Sequence, residues 1–463
     1  MGRVAIAAYL FIVPLVAVGV DRIGAHDLAR ICQVALGLSC ALDAVCCRWA
    51  GAARLPAGRL LVLALVAGVL AAATFHAAVP TMAAREFAVF AGMAAIALVV
   101  AKPKCPVDER VCLASTASAV YVAAVLVLVA AAYVAGQPLN RAELFVGYDN
   151  YRFFNHVQSA SLPLTVLAMT VAPRRSRLRA VAWFAAVGGF ALLFTVAGRG
   201  TVVGIVVGAV AVAALFGRNS FATLRNLALA AALGVLLFAL LFWLLPVLTG
   251  MTPEFSDGYY GARLGSVEAR FFLWRIAQSY IEQSPWLGIG PMHYAHFHNP
   301  EAAHPHNIYL QIAAEWGVPM LLLLLGLAFW ALRRFALAVR ACADVRQRDC
   351  GIGLFLACVA IAVDGLFSGN FVMPVSQVWI AFTFGWAMAW MAGQRGPEQF
   401  APAGSGGRFS PGRLAALGLL VSQLWLVWSV WPEVRHLDEH IQQTMERVPN
   451  ATMNPRFWSH GWF

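Results

Sequence analysis

Thirteen apolar runs, most of 16–25 residues, follow one another from end to end of this chain. Roughly 20 residues of helix cross a hydrocarbon core about 30 Å thick. Inside lipid, backbone groups find partners only within helices or closed barrels. The runs lie near 4–20, 28–47, 60–80, 86–101, 111–135, 157–173, 178–197, 201–216, 226–249, 308–333, 351–369, 375–393 and 412–431. They predict an all-α polytopic membrane protein with twelve or thirteen transmembrane helices, twelve if one run is re-entrant or lies on the surface. The 16-residue runs 86–101 and 201–216 are the weakest. The chain is 61% hydrophobic and only 12% charged, which excludes an ordinary soluble domain, where about twice that charge is usual. With neither spaced repeats nor heptads, residues 1–463 read as a single membrane domain. The first run is followed at once by Asp21 and Arg22 without a small-residue cleavage site, so it reads as a retained span.

The formal net charge of +11 is carried by 31 arginines and two lysines. The excess of arginine over lysine reads as codon bias, and no nucleic-acid partner is expected. The distribution of the charge is more informative than its sum. Arg174, Arg175, Arg177 and Arg179 form one basic loop, and Arg333, Arg334, Arg340, Arg346 and Arg348 form a second. Arg48, Arg54 and Arg59 mark a third, Lys102 and Lys104 a fourth. The positive-inside rule puts all four on the cytoplasmic side. Alternating spans then place the N-terminus inside, and the stretch 250–307 and the short tail 433–463 outside. The nine cysteines show neither a disulfide framework nor metal-ligand spacing, and read as small apolar residues.

On this topology four segments share the outer face: Asn140–His156, Gly198–Gly200, the 58-residue loop 250–307, and Gly369–Pro374. They should surround one site. The first holds Arg141, Asp149, Asn150, Tyr151, Arg152, Asn155 and His156, a density of hydrogen-bonding groups that suits a sugar or a diphosphate as well as an interfacial aromatic belt. Arg199 stands between two glycines at the mouth of a span. A cation facing lipid at the bilayer centre costs roughly 2.5–3.5 kcal/mol, so it either snorkels to lipid phosphates or grips an anionic ligand with paired N–H donors. The flanking glycines would let a bulky ligand approach the backbone.

The long loop contains a helix over 268–282. Arg275 shares a polar face with Gln278 and Glu282. Arg270 points about 140° away, aligned with Leu273, Trp274, Ala277 and Ile281, and a cation on that apolar face needs an anionic ligand or an acidic side chain. Five histidines follow within fourteen residues: His293, His296, His298, His304 and His306. No cysteine joins them, the nearest carboxylate is Glu301, and no pair has i, i+4 spacing on a helix, so a general base is favoured over a zinc site. Asn307 is a candidate N-cap for a helix from Ile308, which sets His306 beside a helix N-terminus that favours anions. Gly317 and Pro319 should kink that helix.

The order of these parts resembles the superfamily of O-antigen ligases, O-antigen polymerases and bacterial O-oligosaccharyltransferases. The ligase motif is written H-[NSQ]-x(9)-G-x-x-[GTY]. His306, Asn307 and Gly317 match it, and Met320 departs from it at the last position. Arg199 at the mouth of a middle span, Arg270 with Trp274, the segment Pro285–Pro291, and His304-Pro-His306-Asn307-Ile-Tyr-Leu follow the wider pattern over about 150–390. The resemblance is closest to a ligase. It implies about twelve spans, a large periplasmic loop carrying much of the active site, and transfer of a glycan from undecaprenyl diphosphate to lipid A–core. It implies His306 as the catalytic base on the acceptor hydroxyl, and Arg199 and Arg270 holding the carrier diphosphate. Arg152, Asn155, His304 and Asn307 complete the expected substrate-binding set, and the spacing leaves open whether His304 or His306 is the base. The transfer is expected to be inverting and metal-independent, with no cofactor, in a monomer surrounded by membrane lipids.

Two relatives in the superfamily remain as alternatives, a polymerase and a protein O-oligosaccharyltransferase using the same carrier. The latter usually carries a longer periplasmic C-terminal domain than this tail of about thirty residues, which is expected to lie on the membrane surface. A transporter is the reading from a different class. It would place polar groups inside spans, and Asp364 is its best support, although that acid could equally hydrogen-bond within the bundle or pair with an outer-site arginine.

Overall fold

The computed structural model describes residues 1–16, 23–46, 68–102, 107–251, 265–394, 411–448 and 454–463. The elements in order are α1 (Gly2–Val16), α2 (Ala25–Cys46), α3 (Pro80–Val100), α4 (Val107–Val134), α5 (Tyr151–Val171), α6 (Arg177–Val196), α7 (Arg199–Phe216), α8 (Phe221–Ala239), α9 (Gly265–Gln283), α10 (Ile308–Trp316), α11 (Val318–Ala341), α12 (Val345–Asp364), α13 (Pro374–Gly393), α14 (Pro411–Arg435) and α15 (Leu437–Arg447). Among the described residues the only strand-like pairing is an isolated bridge between Asn454 and His460. The protein is an all-α polytopic membrane protein. Helices cover twelve of the thirteen apolar runs, and the first part of the remaining run, 60–67, lies outside the described residues. So do Arg48, Arg54, Arg59 and Lys104, and residues 252–264 of the long loop.

Seven described stretches are long and apolar enough to cross a membrane. One of them, Arg199–Leu248, is two helices. Gly217, at φ +52°, ends α7, and α8 returns alongside α6, with Phe238 tilted against Phe194 and the Asn226 side chain donating to Thr170 Oγ1 of α5 at 3.1 Å. α5 and α12 fall outside that set. The first carries Arg152, Asn155, His156 and Gln158, the second Arg346, Arg348, Asp349 and Asp364. The polar cargo that weakens each as a span is largely what it brings to the bundle ends.

Local chemistry starts the helices where the sequence allows. Ser176 accepts from the Arg179 N–H at the start of α6, and Asp344 from the Gln347 N–H at the start of α12. Proline occupies the first turns of α3, α11 and α13, where its missing N–H leaves no bond unmade. The run 308–333 splits as its breakers suggested, but the crossing helix is α11 alone. Gly317 sits at φ +86°, α10 packs on the loop helix α9, and α11 continues to Ala341.

Gly200, Gly204 and Gly208 form one face of α7. A Cβ there would fall 2.8 Å from Asp364 Oδ1, 2.6 Å from the Ala360 carbonyl and 3.0 Å from the Leu356 carbonyl. α7 and α12 therefore pack antiparallel at close backbone distance, as small residues spaced by four permit. Two ends of the bundle follow from pairings of this kind. At one end lie Arg174–Arg179, Arg333–Arg348 and Lys102, whose ammonium donates to Asp43 at 2.6 Å. At the other lie the turns around 140–150, 197–201 and 365–373 and the described part of the long loop.

The tail departs from the surface-lying expectation. α15 is amphipathic and largely exposed, but the segment 454–463 turns back into the bundle, where Pro455 through Ser459 are buried. Arg456 is the cause. Its guanidinium bonds Glu86 of α3 at 2.7 Å and Glu315 of α10 at 2.5 Å. A buried charge is tolerated only when paired in this way.

Candidate active site

A cavity of about 450 Å³ opens at the end of the bundle away from the basic loops. Residues from α5, the α6–α7 turn, α9, the loop before α10, the end of α12 and the tail line it. The outer-face segments inferred from the sequence thus meet at one place, joined by Asn454 and Pro455 of the tail.

His304, His306, Arg152, Arg199, Arg270 and Asn155 all line this cavity. Arg270 is half-buried and Arg275 exposed, while Leu273 and Ala277 are buried, so helical periodicity placed both cations correctly. Arg199 opens α7, and Arg152 follows Asn150, whose side chain caps α5 by accepting the Arg152 N–H at 2.9 Å. Three guanidiniums therefore converge from three different elements.

Asn307 takes the N-cap role expected of it from the sequence. Its side chain accepts the N–H groups of Tyr309 and Leu310, both at 3.0 Å, so it caps α10 and is not among the cavity-lining residues. The glycines beside Arg199 line the cavity and also make room for the protein's own side chains. A Cβ on Gly198 would meet Asn155 Cγ at 2.7 Å and one on Gly200 would meet Asp364. They admit side chains that the site needs.

The two histidines of the loop differ in exposure. His304 is buried, and its Nδ1 accepts the backbone N–H of His306 at 3.2 Å, which leaves its proton on Nε2. His306 is partly exposed to the cavity, with its ring centroid 4.1 Å from that of His304. Its φ of +51° is unusual for a residue with a Cβ. Strain of this kind collects at functional sites, held by surrounding structure. Here Pro305 precedes it and the capped α10 follows. Burial, with the charges of Arg270 and then Arg152, lowers the His306 pKa to about 4. Burial, and then His306 and Arg456, lowers that of His304 well below the usual histidine value. Both imidazoles are neutral at pH 7.

Two residues of the site were not assigned to it from sequence. His156, one turn into α5, lines the cavity beside Asn155; it was visible only as part of a polar segment. Asp364, considered above as a sign of transport, is fully buried at the cavity wall. Its Oδ2 accepts from Ser368 at 3.0 Å, its Oδ1 lies 3.4 Å from Thr201 Oγ1, and it sits within electrostatic reach of Arg270. The glycine spacing of α7 was the signal that could have found it. Arg141 and Asp149 of the first polar segment are structural instead. Arg141 packs over the Tyr151 ring, and Asp149 accepts the N–H groups of Ala25 and His26 at 2.7 and 2.8 Å, capping α2.

The arrangement combines a neutral imidazole, a cationic field and a fixed carboxylate in a cavity at a bundle end. That is the equipment for proton abstraction from a hydroxyl beside a stabilised anionic leaving group. Residues 181–325, which contain Arg199, Arg270, His304 and His306, match a family model described as O-Antigen ligase. No curated protein matches the chain. The matched superfamily carries out glycosyl transfer of the ligase and polymerase type on lipid-linked glycans. Arg152, Asn155, Asp364 and the tail lie outside the matched segment.

Proposed function

From the O-antigen ligase and polymerase superfamily matched by residues 181–325, we propose that this protein transfers an O-antigen glycan from undecaprenyl diphosphate to lipid A–core at the periplasmic face of a bacterial inner membrane. The observation that carries the reading is His306, held in a strained turn and facing a cavity that Arg152, Arg199 and Arg270 also line. The acceptor hydroxyl attacks the anomeric carbon as the bond to the diphosphate oxygen breaks. The electron pair leaves on the diphosphate, the hydroxyl proton passes to His306, and the anomeric centre inverts. Guanidiniums already in place stabilise the charge growing on the leaving group. Arrival of that anion also offsets the cations that depress His306, making the imidazole a better base when donor is bound. His304, behind it, orients the turn through the His306 N–H.

The test is transfer of glycan from an undecaprenyl diphosphate-linked donor to lipid A–core in proteoliposomes without a transmembrane gradient. Transfer by the wild type and its loss in His306→Ala, with normal membrane insertion, is the expected result. Activity that requires a gradient would favour transport, and loss on EDTA treatment with rescue by zinc or magnesium would reverse the metal-independent reading. Met320, buried where the ligase motif has Gly, Thr or Tyr, keeps the polymerase as a second reading. A lipopolysaccharide gel from a deletion strain separates the acceptors. A missing ladder with long glycan stranded on the carrier means a ligase. A core bearing one repeat means a polymerase, and an unchanged ladder means a protein acceptor.

A further inference from the structure

The tail reaches the cavity without any signal from the apolar runs or the histidine motif. Asn454 and Pro455 line the cavity, and the residues after them are locked into the bundle. Arg456 bridges Glu86 and Glu315. The Phe457 carbonyl lies 3.1 Å from both Arg30 Nε and His26 Nε2, and the Phe457 ring lies beneath the guanidiniums of Arg30 and Arg85. Trp458 donates its indole N–H to Glu433 at 2.7 Å, and Ser459 gives its N–H and hydroxyl to the Asp27 carboxylate, both at 2.6 Å. The segment also closes on itself. The Gly461 N–H donates to the Asn454 carbonyl at 3.0 Å, and a Cβ on Gly461 would lie 2.6 Å from that oxygen. A segment fastened at so many points presents Asn454 and Pro455 as a fixed surface.

The elements that line the cavity differ in chemistry. Arginines come from α5, α7 and α9, whereas the tail offers a neutral amide and a pyrrolidine ring. Guanidiniums select a diphosphate. An amide can both donate to and accept from hydroxyls, and a proline ring suits the C–H face of a sugar. We propose that Asn454 and Pro455 form the sugar-facing wall of the cavity, with Arg456 as the positioning residue that holds them, so that the tail takes part in selecting the glycan. The proposal rests on the glycosyl-transfer reading above. It also joins tail and base mechanically. Glu315, which Arg456 grips, lies on α10, and the N-cap of α10 is the residue after His306.

The experiment places a photo-crosslinking amino acid at Asn454, at Arg199 and at the exposed Gln442 in separate full-length proteins. Each is irradiated with an undecaprenyl diphosphate-linked disaccharide, and adducts are mapped by mass spectrometry. Adducts through the sugar at position 454, with none at 442, support the proposal. Adducts at 199 without any at 454 overturn it while leaving the proposed function standing. No adduct at either overturns both. In parallel, Asn454→Ala should change the ratio of kcat/KM between two donors that differ in the transferred sugar, roughly tenfold for one lost hydrogen bond to a ligand, and Asn454→Gln should restore part of it. An unchanged ratio in an active Asn454→Ala protein overturns the specificity role. Arg456→Lys keeps a charge but ends one bond short of Nη2, the single nitrogen that bonds both Glu86 and Glu315. It should shift the same ratio in protein that still folds, and a wild-type ratio there removes Arg456 as the positioning residue.

Discussion

Five histidines within fourteen residues are used in two different ways. His293, His296 and His298 build the loop and hold the tail. His293 Nε2 accepts the Val79 N–H at 2.8 Å while its Nδ1 meets the Pro291 carbonyl at 2.8 Å, and its ring packs against Phe463. His296 Nδ1 is 3.1 Å from the Phe463 carbonyl, and His298 stacks edge-on with Trp462. His304 and His306 line the cavity beside arginines. Residue type is the same in both groups, and what separates them is the neighbour. Aromatic rings and carbonyls from the tail engage the first group, whereas the second faces an open, cationic space.

The largest expected effect sharpens this comparison. His306→Ala should lower turnover about 10²–10⁴-fold, the usual worth of a general base, while His296→Ala leaves turnover within a few-fold. Equal losses in single-turnover assays would break the division. Next comes the pin that brings the tail to the first group. Arg456→Met leaves Glu86 and Glu315 buried without their cation and should cost about 3–5 kcal/mol in unfolding free energy; a change within error would show that the tail is held otherwise. Arg199→Lys tests the cationic side that the second group faces. An ammonium lacks the two-pronged contact, so kcat/KM should fall about 10–100-fold, and wild-type turnover would count against diphosphate gripping.

The pH profile addresses His306 itself. A base must be unprotonated, so activity falls as pH drops through its folded-state pKa. With that value lowered to about 4 by burial and then by Arg270 and Arg152, the acid limb of kcat/KM should lie well below pH 6.5. Stability runs in the same direction. Between about pH 6.5 and 4 the unfolded histidine binds a proton that the folded one refuses, so folding weakens as pH falls across that window. A limb at or above 6.5 would place the base elsewhere. The smallest effect belongs to Asn307, the residue between the strained turn and α10. As a cap, Asn307→Ala should cost about 1 kcal/mol of stability. A loss of substrate affinity with stability unchanged would return it to the binding role that the motif suggested.

The sequence located Arg152, Asn155, Arg199, Arg270, His304 and His306 at the site because each clue was local or topological. A helix face repeats every 3.6 residues, which settled Arg270 against Arg275. A basic loop marks one end of a bundle, which collected the opposite segments. It did not show that the glycines around Arg199 also make room for Asn155 and Asp364, because an empty Cβ position does not reveal whether a ligand or the protein fills the space. It left Asp364 open between transport, a hydrogen bond within the bundle and a pairing with an outer-site arginine, because a run of apolar residues does not show that Ser368, Thr201 and Arg270 surround it.

What the sequence determined by itself is the all-α membrane class and which histidine- and arginine-bearing segments share one end of the bundle, since bilayer thickness and helical period act over lengths that a short window spans. What only the tertiary structure decided is the tail's share of the cavity lining. The tail's anchors pair residues 141, 370 and 432 positions apart. Buried charges demand partners without specifying where in the chain they come from. Only the packed bundle brings Glu86, Glu315 and Asp27 within reach of a ten-residue segment that composition alone would leave on the surface.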